Sequence, residues 1–265
     1  MYTNYYPSSR LFHASVPLLM GTRLDALLFG EEPAALETLC RRMEGEIRRV
    51  ERLLNRFDPE SALYRVNRDA VIYPVGMAEE LWTVLQDCRR YFEWTEGCFD
   101  ITRGCFDRVE FDESNRTVFL KGRAGFDLGG YGKGYALRQI RRLLDAEAVP
   151  RALINFGDSS ILAIGMHPHG DCWPVGIDNP WTGERMGVMS LRDCSLSVSG
   201  NKPAQPAHIV NPETGACVTG RKIVAAVADN PVDAEALTTA LMVAAPGRVE
   251  NIVNRFRLIE YKIYE

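Results

Sequence analysis

The sequence predicts a single α+β domain. Helical patterns dominate residues 31–94, and short strand-like runs dominate residues 152–199. The two kinds do not follow the βαβα alternation of a doubly wound sheet. At 265 residues the chain is long enough for one large domain with an ample core. No repeat, low-complexity segment or linker divides it. The expected layout is one domain over residues 11–265, with residues 1–10 as a polar and aromatic tail.

Residues 11–28 read as strand, with Gly21 as a turn or bulge. Glu31, Glu32 and Pro33 open a helix, since acids and proline suit a first turn. Leu36, Leu39, Met43, Ile47, Val50 and Leu54 then recur at helical spacing to about Asn55. Residues 56–67 read as a polar loop, 77–94 as a second amphipathic helix, and 117–120 as a short strand. Residues 126–128 lead into a glycine-rich run, and residues 133–144 form a third helix. Short strands follow at 152–156, 160–164, 173–177, 187–191 and 195–199, separated by turn chemistry such as Asp178-Asn-Pro180. A strand at 223–228, helices at 233–243 and 248–255 and a strand at 258–263 complete the chain, with Asp233 as the expected N-cap.

The net charge of −4 gives no electrostatic case for nucleic-acid binding. The seven cysteines are scattered and form no CxxC pair, which supports neither a zinc site nor a disulfide framework. Residues 16–29 are apolar but too short for a membrane span, and Arg23 and Asp25 interrupt them. Residues 1–10 lack the pattern of a secretory signal, so the expected location is cytoplasmic.

The most informative segment is Asp127-Leu-Gly-Gly-Tyr-Gly-Lys-Gly-Tyr-Ala136. Glycines let backbone N–H groups approach phosphate oxygens, and the following helix points its positive end at the same place. Lys133 adds a full charge. The run is not a Walker loop, because Asp127 stands at the first glycine position and Gly134 follows the lysine. It is not a dinucleotide fingerprint either, because Tyr135 stands at the third glycine position. Two readings remain open on these residues alone: a phosphate cradle, or a tightly packed strand-to-helix turn.

A second segment is His208-Ile-Val-Asn-Pro-Glu-Thr-Gly215. Its turn residues can hold an imidazole beside a small hydroxyl side chain, and His208 is the natural general base of the chain. A histidine that merely hydrogen-bonds in the turn is an equal alternative. A third segment is Ala234-Glu-Ala-Leu-Thr-Thr-Ala240, where Glu235 and Thr239 share a helix face. A carboxylate and a hydroxyl so placed suit Mg²⁺, which takes hard oxygen ligands. The alternative is an exposed glutamate and a threonine bonded back to its own helix. Weaker signals are Met20-Gly-Thr22, Phe57-Asp-Pro-Glu-Ser61 with Asn67, and Phe99-Asp-Ile-Thr102. Trp94, Tyr131 and Tyr135 offer stacking surfaces for a flavin or a base, although such aromatics are more often core.

Together, and in this order from Met20 to about Ala245, these segments resemble the ApbE family of FAD:protein FMN transferases. The resemblance implies an α+β fold of mixed or antiparallel sheets packed with helices. It implies cleavage of FAD at its pyrophosphate, transfer of FMN to a threonine or serine hydroxyl of an acceptor flavoprotein, and release of AMP. Alternatives on the same scaffold are an FAD pyrophosphatase and a non-catalytic FAD-binding protein. The implied catalytic residues are His208 and Lys133. The implied FAD contacts are Met20, Ser61, Asp100, Thr102, Gly129, Gly130, Tyr131, Lys133, His208 and Thr214. The implied Mg²⁺ ligands are Glu235, Thr239 and the carbonyl of Gly132. The chain departs from the family's pattern at Glu235 and Asn211, where aspartate is usual, at Ala62 and at Gly157-Asp158.

Overall fold

The computed structural model describes residues 1–122, 124–201 and 209–265. Strands β1 (Tyr2–Tyr6), β2 (Leu11–Leu19) and β3 (Thr22–Phe29) open the chain. Helices α1 (Pro33–Leu54) and α2 (Ala62–Asp69), strand β4 (Val75–Gly76) and helix α3 (Glu79–Trp94) follow. Strands β5 (Val109–Asp112) and β6 (Thr117–Leu120) then lead to α4 (Gly132–Ala146). After α4 come β7 (Ala152–Phe156), β8 (Ser160–Ile164), β9 (Trp173–Asp178), β10 (Arg185–Leu191), β11 (Ser195–Gly200) and β12 (Ile223–Ala228). Helices α5 (Pro231–Val243) and α6 (Pro246–Val253) and strand β13 (Leu258–Tyr264) end it.

Eight strands form one sheet in the order β1-β2-β3-β7-β8-β11-β12-β13, and every neighbouring pair is antiparallel. The sheet therefore joins strands from both ends of the chain around a helical middle, as the α+β expectation requires. Successive side chains on a strand face opposite sides. Leu162 and Ile164 of β8, with Val224 and Ala226 of β12, enter the main core with α1, α4 and α5. Ile161 and Ala163, with Ala225 and Val227, enter a second core under the β9–β10 hairpin, built on Trp173, Met189 and Leu191. Strand β12 is apolar at every position because both of its faces are covered. A small sheet, β4-β6-β5, lies apart from the large one.

Several sequence expectations change. Residues 1–10, read as a tail, supply β1, which pairs with β2 from Tyr2↔Ser15 to Tyr6↔Leu11. The loop expected at 56–67 contains α2, capped by Ser61, whose Oγ accepts the Tyr64 N–H at 3.4 Å. Asp233 is not the cap of α5: Asn230 holds that place, with its side chain on the Val232 N–H and Pro231 in the first turn. The tight β2–β3 turn does form, with Met20 and Gly21 both at positive φ (47° and 77°).

Candidate functional site

The glycine run lies at the centre of a cavity of about 510 Å³. Its walls come from the β2–β3 turn, the segments after α1 and α3, the β7–β8 turn, β11, the segment 209–212, and α5. Local chemistry fixes each wall. Both amide atoms of Asn67 bond the Phe126 backbone, at 2.9 and 2.7 Å, so α2 holds the segment that feeds the run. The Asp127 N–H donates to the Ile101 carbonyl at 2.6 Å, which ties the run to the Phe99-Asp-Ile-Thr segment. Gly157, at φ +70°, packs against Thr22, where a Cβ would come within 2.6 Å of the Thr22 hydroxyl.

Helix α4 begins at Gly132, so its first N–H groups point toward the cavity end of the helix. One of them is already partnered. The Gly134 N–H donates to Glu235 Oε2, and Lys133 Nζ lies 3.1 Å from Glu235 Oε1. Glu235 is 3% exposed, a buried carboxylate matched by one ammonium and one amide. Helices α4 and α5 meet closely here: a Cβ on Gly134 would lie 2.7 Å from the Pro231 carbonyl. Thr239, one turn beyond Glu235, also lines the cavity, and Gly130 lies against its hydroxyl. Gly132 lies instead against the methyl of Met20.

Of the sequence-predicted residues, Met20, Asp100, Gly129, Gly130, Gly132, Lys133, Glu235 and Thr239 line this one cavity. Four do not. Ser61 is buried as a helix cap. Thr102 stands behind the wall, donating to Asp100 Oδ1 at 2.6 Å and accepting the Cys105 N–H at 3.0 Å. Tyr131 is buried among Tyr91 and Tyr135, with its hydroxyl on Asp87 at 3.1 Å, and burial pushes its phenol well up. Thr214 is exposed, accepting the Ala216 N–H at 3.3 Å within its turn. Trp94 and Tyr135 are core as well. His208 lies outside the described residues.

The sequence reading missed Arg56, Arg103, Ser159, Ser197 and Ser199, all of which line the cavity. The serines carried a signal, because Ser195-Leu-Ser-Val-Ser199 repeats with the period of a strand and puts its hydroxyls on one face. Thr238, buried behind them, bonds Ser197 at 3.1 Å and Ser199 at 2.9 Å, which locks that wall to α5.

The sequence model of the ApbE family matches residues 20–109 and 103–262, nearly the whole chain. The chain belongs to the ApbE family. It is 24% identical to the FAD:protein FMN transferase of Klebsiella pneumoniae, over 92% of this chain and 82% of that protein. It is 27% identical to the FAD:protein FMN transferase of Treponema pallidum, over 87% and 78%. The ApbE protein of Thermotoga maritima superposes with a TM-score of 0.81 at 21% identity, covering 92% of this chain and 90% of that one. The flavin transferase ApbE from Vibrio cholerae also gives 0.81, at 19% identity over 95% and 91%.

Proposed function

We propose that this ApbE-family chain transfers FMN from FAD to a threonine or serine hydroxyl of an acceptor flavoprotein, with AMP leaving, in a Mg²⁺-dependent reaction. The observation that carries the reading is the convergence of the glycine run, Lys133, Glu235 and Thr239 on one cavity. Phosphoryl transfer needs positioning and charge neutralisation more than covalent help from the protein. The start of α4 and Lys133 hold phosphate oxygens. The hydroxyl wall of Ser197 and Ser199 offers hydrogen bonds to the polar part of the flavin. His208 takes the proton of the attacking hydroxyl.

The donor set fits Mg²⁺: one carboxylate and one hydroxyl, four residues apart on α5, with phosphates and water completing an all-oxygen shell. The glycine run comes up to this pair through Gly130, which lies against Thr239, and the expected third ligand is the Gly132 carbonyl. When bound, the ion supplies positive charge against the phosphates. A second reading, an FAD-binding protein without transferase activity, is favoured by the pairing of Glu235 with Lys133 and the Gly134 N–H.

The test supplies FAD and Mg²⁺ with and without an acceptor protein, and follows acceptor mass and free AMP. An acceptor that gains the mass of FMN, and loses that gain with EDTA or in H208A, is the expected result. Tight FAD binding with no modified acceptor would favour the second reading, and AMP without an acceptor would mark a hydrolase.

A further inference from the structure

Two arginines on the cavity wall share one carboxylate. Arg103 donates to Asp127 Oδ2, and Arg56 Nη1 lies 3.5 Å from the same oxygen. The other oxygen, Asp127 Oδ1, is occupied by the Gly129 N–H at 3.0 Å. Each guanidinium carries five N–H donors, so among the described residues a single carboxylate oxygen leaves most of them unspent. Arg56 Nε is buried without a hydrogen-bond partner among the described residues. Such a donor costs free energy until something accepts from it.

Both side chains are held in place. The Arg56 guanidinium carbon lies 4.5 Å from the centroid of the Phe57 ring, a cation–π contact. Arg103 has φ +57°, a left-handed conformation unfavourable for a side chain of its size. The loop around it is braced by Asp100, which accepts the Thr102 and Gly104 N–H groups at 2.7 Å. Gly104 presses against the Pro212 carbonyl, leaving that backbone no room for a side chain. A strained backbone kept by its surroundings at a cavity wall points to a functional demand.

The partners differ from those at the helix end. Among the described residues Lys133 shares the Glu235 carboxylate with no other cation, whereas Arg56 and Arg103 share the one Asp127 oxygen. We infer that Arg56 and Arg103, gathered on Asp127, form an anion subsite that takes a phosphate of the nucleotide substrate. This subsite is distinct from Lys133 and the start of α4, and the inference rests on the flavin-transfer reading for the identity of that nucleotide.

The test measures binding of inorganic pyrophosphate by calorimetry and of FAD by flavin fluorescence, for the wild type, R103G, R56M and R103K. Glycine suits a left-handed residue, so R103G removes the guanidinium while easing the backbone, and thermal melting checks that the fold is kept. Loss of a charge-assisted hydrogen bond predicts affinities weaker by about tenfold or more in R103G and R56M, with partial recovery in R103K. Binding of both probes within about twofold of wild type in R103G and R56M overturns the subsite, as does a wild type that ignores pyrophosphate. Pyrophosphate binding that falls with the arginines in a protein that takes no FAD keeps the subsite and overturns the flavin reading instead.

Discussion

Lys133 Nζ and Glu235 Oε1 lie 3.1 Å apart, and the same carboxylate caps the first turn of α4. The positive end of that helix, suited to an anionic ligand, is thus partly satisfied by the protein's own side chain.

Removing the lysine leaves a buried carboxylate with one fewer partner. K133M is expected to lower stability by about 3 kcal/mol, and K133M/E235Q to regain much of that loss. Chemical denaturation of the two single variants and the double variant reads the coupling. Strictly additive losses would show that the pair contributes nothing to folding.

E235D shortens the side chain by one methylene and draws the carboxylate back from Lys133 and the Gly134 N–H. A carboxylate with fewer protein partners is freer to meet a cation. Mg²⁺ affinity, titrated calorimetrically, is expected to rise by about tenfold or more, the worth of one hydrogen bond to a charged group. An unchanged affinity would place the metal away from Glu235.

G134A places a methyl group within 2.7 Å of both Glu235 Oε2 and the Pro231 carbonyl. Backbone cannot yield as a flexible side-chain end does. The expected cost is about 2 kcal/mol, seen as a lower melting temperature. G247A, where a Cβ would meet nothing within 4 Å, is the matched control.

Tyr91 is buried at the centre of a ring cluster with Trp94, Phe99, Tyr131 and Phe256, and its hydroxyl donates to Asp233. Y91F keeps the rings and takes one donor from Asp233. A loss of about 1–2 kcal/mol is expected, with near-ultraviolet circular dichroism changed little. A loss of aromatic ellipticity would instead mean that the cluster itself had moved.

Glu80 accepts from Arg49 at both oxygens and from Tyr135 Oη at 2.6 Å. The Arg49 hydrogen bonds hold its carboxyl below the ordinary 4.5, despite the opposing effect of burial. Its stabilising contribution is therefore complete above pH 4.5 and lost as pH falls through the lower folded value. Acid unfolding of E80Q should lose part of this dependence below that pH. Identical slopes for E80Q and wild type would remove Glu80 from the acid response.

Much of the architecture was legible in the sequence, for physical reasons that also explain the failures. α1 was visible because Leu36 through Leu54 repeat on one face over many turns. α2 was hidden because it is short and its apolar contribution is only Leu63 and Val66. β1 was hidden because its side chains are largely exposed and its order comes from pairing with β2. At the site, the glycine run announced itself through composition. Thr102 and Tyr131 misled because motif proximity does not say on which side of a wall a side chain falls. Arg56 and Arg103 were invisible because nothing in a lone arginine says that it shares a carboxylate with another.

The cavity is walled by residues from Met20 in the β2–β3 hairpin to Thr239 near the chain's end. No single element or short fragment contains more than part of it. During synthesis the early segments must wait for α5 before the cradle exists, because closure over such sequence separation comes late. On the proposed reading, a growing polypeptide on the ribosome would not yet hold the nucleotide. A ligand bound there would act as a seal between segments from the two ends of the chain.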